Sequence, residues 1–279
     1  MRKFFALCIT LMAMLIFAIF VGGNKAAAAD IDLGEGYHVP SNFSSVLITS
    51  SDGTAIQNAV EHIQAGGVIL LSGSFNLKRN INIKKDLTIK GDDNKAALNA
   101  ETLRKSDRVI RCQGNIVLEN LKIMGGNSTN GGGVKIDGGN VTMTNCDITG
   151  NSALLGGGGI HSQAKTLTLT NCNISDNKVV LMGGGMSLLS GNSVTMTNCT
   201  VSNNTAMQGG GIASAGAAVT MTDCKVTGNT ASQSGGGITL LSGTITAVSC
   251  DVTGNIASLA ERNESADIEL SDGAVYKLN

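Results

Sequence analysis

The sequence predicts an all-β fold: a single-stranded parallel β-helix, wound as a solenoid and closed at its N-terminal end by a capping helix. Three observations carry this. The block VTMTNCDITGNSALLGGGGI at 141–160 returns at 167–186, 194–212 and 219–238, shortened at 245–257, with a degenerate copy at 116–134. The apolar residues that close its glycine runs, Val134, Ile160, Met186, Ile212 and Ile238, stand 26 residues apart. A fixed period of this kind marks stacked repeats. The composition agrees: 37 Gly, one Pro, no Trp, two Tyr and six Phe in 279 residues suit many thin, equivalent layers rather than one irregular core.

From the N-terminus, Arg2-Lys3, an apolar run from Phe4 to Val21 and Ala26-Ala27-Ala28-Ala29 read as a signal peptide, residues 1–29, cut before Asp30. The mature chain is then expected outside the cell or on its surface, with no transmembrane segment after cleavage. It keeps 17 basic against 21 acidic residues, a balance that points away from nucleic acid. Residues 30–115 form the N-terminal cap and first rungs. Ile56, Ala59, Val60 and Ile63 recur at helical spacing over 54–65, with Asp52 or Thr54 able to cap the start and Gly66-Gly67 to end it. His62 on this helix reads as a surface histidine. Short strands follow at 68–71, 81–83, 87–89 and 109–112. The repeats occupy 116–257, and 258–279 form the C-terminal cap, where charges such as Glu261, Arg262 and Glu264 would discourage edge-to-edge growth.

Within a repeat, alternation turns Val141 and Met143 inward and Thr142 and Thr144 outward. Asn145 makes a corner, Cys146 and Ile148 point inward again, Asn151 makes a second corner and the glycine run a third. Each turn is thus about three strands and three bends. Stacked rungs lie about 4.8 Å apart, so like residues form ladders. Asn145, Asn171, Asn198, Asp223 and Ser249 are expected to form one corner ladder bonded through its side chains. Cys146, Cys172, Cys199, Cys224 and Cys250 form an inward ladder of mostly free thiols, although adjacent rungs are close enough for one or two bridges. No Cys/His cluster suggests a bound metal, and the glycines serve bends rather than a phosphate.

The helix followed by AGGVILLSGSFNL, INIKKDLTIKGD and NIVLENLKIMGG resembles the start of a right-handed parallel β-helix of the pectate-lyase-like kind. The repeats resemble those of the chlamydial polymorphic outer-membrane proteins and related adhesin-like β-helices, which pair F-x-x-N with G-G-A-I. The matching positions are Ile148-x-x-Asn151, Ile174-x-x-Asn177, Val201-x-x-Asn204, Val226-x-x-Asn229 and Val252-x-x-Asn255, with Ile or Val for Phe and Gly for Ala. This resemblance implies right-handed winding and a role in surface binding.

Two groups of residues are left free to act. Outward pairs Thr142/Thr144, Thr168/Thr170, Thr195/Thr197 and Thr220/Thr222, with Thr246 alone on a fifth rung, would form a flat grid of hydroxyls and methyls. Such a grid can bind ice, and Thr is also simply a good outward β-former. Arg108, Arg111 and Lys135, near Lys84-Lys85-Asp86, are the candidates for an enzyme, a polysaccharide lyase using a basic residue on an acidic glycan beside neutralising groups or Ca²⁺. The remaining outward charges, His161 among them, read as scattered. The leading expectation is a secreted or surface-exposed, non-catalytic, adhesin-like module for an extracellular glycan or a host or cell surface, with no cofactor and no metal. The alternatives are the lyase, the only one to call on Ca²⁺, and an ice-binding solenoid.

Overall fold

The computed structural model describes residues 43–49, 53–101, 103, 107–258, 267–271 and 273–278. The expected leader at 1–29, Asp52 and the charged stretch at 260–264 lie outside them. The remainder is the expected parallel β-helix. One rung runs through Val134–Ile136, Asn140–Thr144, Asp147–Thr149 and Ser152–Gly156, here called rows one to four. Each strand pairs in parallel with its equivalent one turn on: Val134 with Ile160, Val141 with Leu167, Ile148 with Ile174 and Ala153 with Val179. A turn therefore has four strands where the sequence predicts about three. The fourth hides because only Ala153 of Ser152–Gly156 faces the core by alternation, and its LLG end looks like loop. In the turns that begin at 212 and 238, rows one and two merge into 11-residue strands, Ile212–Thr222 and Ile238–Val248.

The main core is one column of stacked side chains, with Ala153, Val179 and Ala206 of row four forming a small separate one. Val134, Ile136, Val141, Met143, Cys146 and Ile148 of a single rung are all at most 1% exposed. Each large apolar group so buried contributes about 1.5–3 kcal/mol, and it does so only because neighbouring rungs cover it. The glycine three places before each closing apolar residue is left-handed, as at Gly157 (φ 61°) before Ile160. The two after it have no room for a side chain: a Cβ on Gly158 would lie 2.5 Å from the Gly184 carbonyl oxygen, and one on Gly159 2.7 Å from that of Gly185. The run is the price of stacking three bends in contact.

The corner between rows two and three is left-handed at Asn145, Asn171, Asn198, Asp223 and Ser249, with φ of 51–53°. Its side-chain ladder is partial: Asn145 donates to Asn120 at 3.2 Å and Asn198 to Asn171 at 2.8 Å. The continuous ladder lies elsewhere and corrects the reading of Asn151 as a corner. The left-handed residue there is Gly150 (φ 64°), and Asn151 turns inward, 1% exposed. Down the stack Asn151, Asn177, Asn204, Asn229 and Asn255 bond in sequence. The Asn204 Oδ1 accepts from both the Asn177 backbone N–H (2.9 Å) and its Nδ2 (3.0 Å). The Asn204 Nδ2 in turn donates to Asn229 Oδ1 (2.9 Å) and back to the Ile174 carbonyl (2.9 Å). Asn255 donates its own amides to the Asp267 carboxylate at 2.9 Å. An amide is needed inside the ladder because it must donate and accept, whereas a carboxylate, which only accepts, suits the end.

The six cysteines among the described residues are free thiols, buried except for the half-buried Cys250. Each ladder thiol donates to the carbonyl two residues back, at Thr144, Thr170, Thr197, Thr222 or Val248, 3.2–3.4 Å away. A small group with a weak donor thus fits the inside of the Asn corner. Burial pushes the Cys112 thiol up to about 12.

The capping helix is Thr54–His62, with Ile56, Ala59 and Val60 turned onto the first rungs. Gly53 occupies its N-cap position. It ends three residues short of expectation, because Ile63 turns to extended backbone (ψ 145°) and Gly67 already opens a strand. Lys85 donates to the Glu61 and Ile63 carbonyls, which places it at the helix C-terminus. His62 is exposed, as expected.

Two outcomes follow. Asn204→Ala strands the donors of Asn177, the acceptor of Asn229 and the Ile174 carbonyl, and urea unfolding should show a loss of about 3–5 kcal/mol, against about 1 kcal/mol for Asn198→Ala at the exposed corner. In the native protein a maleimide should modify Cys250 first and the five buried thiols only as the chain unfolds, read by intact mass over time.

Candidate functional site

The outward residues of row two form a nearly flat face. Registers place Thr142, Thr168, Thr195, Thr220 and Thr246 in one column and Thr144, Thr170, Thr197, Thr222 and Val248 in the next. A third column, Asn140, Thr166, Ser193, Ala218 and Thr244, lies beside them. The face is three residues wide and five rungs long, and no charged side chain interrupts it. Charges frame it: Lys90 pairs with Glu119 at 2.7 Å above, and Lys277 sits opposite Thr246 below. The expected Thr grid is therefore in register, and wider than the paired threonines alone suggested.

The second group lies on row one. There Arg111, Lys135 and His161 occupy equivalent outward positions on three successive rungs. Asp137 accepts from both basic neighbours, from Arg111 and from Lys135 Nζ at 2.9 Å. Burial alone would raise its carboxyl, but these hydrogen bonds hold it below the ordinary carboxylate range. Arg108 joins from the preceding bend, its guanidinium lowered by burial and by the charge of Arg111. The candidates Arg108, Arg111 and Lys135 thus come together. Lys84-Lys85-Asp86 do not join them: Lys85 serves the helix end, and Asp86, lowered by hydrogen bonds from Asn115, holds the next rung.

His161 differs from its reading as one of several scattered outward charges. It faces outward from its strand but is only 7% exposed. Row four folds back over row one at the glycine run, so a Cβ on Gly156 would meet His161 Nδ1 at 3.0 Å, Ser187 Oγ at 3.1 Å and Asn130 Oδ1 at 3.3 Å. Burial, then the charge of Lys135, pulls the imidazole down to about 4, so it is neutral at pH 7. Sequence reasoning missed this cover because it places no strand between Asn151 and the glycine run. It also missed an apolar strip on row four, where Leu154, Leu155 and Val180 are 52%, 43% and 54% exposed. The signal lay in the runs ALL and VVLM, which break the alternation. A cavity of about 330 Å³, lined by Glu101, Leu103, Asp107 and Asn127 among others, lies at the row-three to row-four bend and carries acidic side chains. Among the described residues no cluster of metal ligands occurs and no helix is long and apolar enough to cross a membrane.

His161 has a consequence for stability. Its folded pKa lies below the unfolded value of about 6.5, so protonation favours the unfolded chain. Stability should be full above pH 6.5 and fall as pH drops toward 4; His161→Gln should remove that part of the slope, measured by urea unfolding at each pH.

A crystal structure of an alginate lyase from Paenibacillus sp. str. FPU-7 is similar over 84% of this chain and 99% of the other, at 12% identity and a TM-score of 0.33, a likeness that carries no argument about activity. No curated protein matches the chain. Residues 44–257 match the model of the right-handed β-helix region, and the chain, wound rung on rung as described, belongs to that family.

Proposed function

We propose that this is a secreted or surface-exposed, non-catalytic module of the adhesin-like kind, whose row-two face binds an extended glycan on an extracellular or cell surface. The observation that carries it is the uncharged, three-column hydroxyl face, held in register over five rungs. A flat array of hydroxyls and methyls at spacings of about 4.8 and 6.7 Å suits a long, regular partner better than a small molecule, which needs a concave site. The exposed strip at Leu154, Leu155 and Val180 supports a binding role, since soluble proteins seldom leave such residues together without a partner. The resemblance of the repeats to those of polymorphic outer-membrane proteins points the same way.

A second reading, a polyuronate lyase, is favoured by the meeting of Arg108, Arg111 and Lys135, which supply basic groups for a uronate carboxylate. Ca²⁺, the cofactor that reading would call on, finds little support in a cluster where the Asp137 carboxylate is already paired with two cations and three cations face two carboxylates, Asp107 and Asp137.

A glycan array should show one or a few polysaccharides bound, with Thr168→Lys and Thr195→Lys lowering apparent affinity about tenfold or more by placing desolvated charge on the face. Retention of full binding by both variants would remove the row-two face from the proposal. Steady ultraviolet absorbance growth from an unsaturated product, on incubation with polyuronates, would replace it by the lyase; thermal hysteresis of the purified protein would replace the glycan by ice.

A further inference from the structure

The repeat is broken at one bend, and the break sits beside row one. The register Ile110 to Val134 aligns Asp107-Arg108-Val109 with Gly131-Gly132-Gly133 of the next rung. The backbones stay joined there, Val109 and Ile110 donating to the Gly132 and Gly133 carbonyls at 3.1 and 3.0 Å. Where every later rung has a glycine with no side chain, this one carries a guanidinium. Lys135 and His161 follow on the next two rungs, positions that become Ser187, Ala213 and Thr239 further down. The basic groups are thus confined to one end of the row, which is small and neutral from Ser187 to Thr239 and ends at Glu269 opposite Thr239.

Two atoms in this cluster are sealed from solvent without a hydrogen-bond partner among the described residues, Arg108 Nη1 and His161 Nδ1. The first can only donate. The second can donate in one tautomer of a neutral ring. Arg111 and one donor of Lys135 are committed to Asp137, while the ammonium keeps two further N–H groups. Three cations stand against the carboxylates of Asp107 and Asp137, leaving a local positive excess. Around Gly156, the absence of a side chain leaves Ser187 Oγ and Asn130 on the rim with His161. Every one of these groups except the Asn130 carbonyl and the two carboxylates can offer a proton.

We infer that Arg108, Lys135 and His161 form a binding site for one oxyanion, the carboxylate or sulfate group of an acidic glycan, at the N-terminal end of row one. The choice of glycan as carrier rests on the binding role proposed above; the anion site itself stands on the cluster. A planar guanidinium paired with an ammonium holds such a group by charge-assisted hydrogen bonds. The neutral imidazole adds a donor that need not be paid for by a third buried charge.

The probes are sodium sulfate and sodium glucuronate, titrated into the full chain at constant ionic strength and followed by calorimetry and by histidine NMR. The expected result is one saturable site per chain for at least one anion. With it, the His161 titration should move upward from about 4, because a bound anion stabilises the imidazolium against Lys135 and Arg108. Arg108→Gln and Lys135→Gln should each weaken binding about tenfold or more, their fold checked by circular dichroism. No saturation by either anion, or equal binding in both folded variants with His161 unmoved, overturns the site. Should Arg108→Gln fail to fold, Lys135→Gln and the His161 titration still decide. Thr195→Lys separates the two surfaces, since it should keep sulfate binding while losing glycan; a wild-type protein that binds sulfate but no glycan leaves the anion site standing and removes the row-two reading.

Discussion

Everything in this protein depends on register between rungs. A rung of a β-helix has no interior of its own; its apolar side chains are buried by the equivalent side chains about 4.8 Å above and below. A slip of one residue would turn Val141 and Met143 to solvent and Thr142 and Thr144 into the core. The alternation opposes that slip through apolar burial, but burial is not directional. The Asn151-to-Asn255 ladder is. Each of its amides bonds forward to one rung and back to another, so a rung out of step would strand several buried donors and acceptors at once. The apolar column supplies most of the favourable energy, and the amide column specifies which rung meets which.

That division explains what the repeat letters are free to do. Gly158 and Gly159 have the next rung's carbonyls against them. The ladder cysteines satisfy a corner carbonyl, and Asn151 and its equivalents are spent on the ladder. The outward residues of rows two and three, those on row one under its row-four cover, and those on the outside of row four can vary without cost to stacking. These are where the Thr face, the basic cluster and the apolar strip occur.

Much of this was legible in the sequence, and what was not has physical causes. The period of 26 and the alternation at Val141–Ile148 determine rung length and inward face, because both arise from backbone geometry that each repeat solves alone. Asn145 was read correctly as a corner since its left-handed backbone is a local property. Asn151 was not: its left-handed neighbour Gly150 makes the bend, and the value of its amide exists only when other rungs are present. Row four went unseen because a strand with one inward residue has no period to detect. With it went the cover over His161, whose burial is set by Gly156 and its neighbours rather than by its own strand. Arg108, Arg111 and Lys135 were named together from the sequence, but not that Arg108, 27 residues from Lys135 rather than 26, joins them from the bend.

The contrast between the two surfaces bears on how they would act. The row-two face is exposed, uncharged and uniform over five rungs, so any contact it makes can be repeated along its length, and its affinity would grow with the length of the partner. The row-one cluster is singular, partly covered and charged, and it can hold only one group in one place. A long polymer sliding along the first surface would gain no position; an anionic substituent engaged by the second would fix it. Specificity then comes from the one rung that departs from the repeat, with the regular rungs supplying area. A solenoid is well suited to this arrangement, because a charge placed outward on one rung costs the stacking of the others nothing, provided that, as Asp137 does for Arg111 and Lys135, a counter-charge is built beside it.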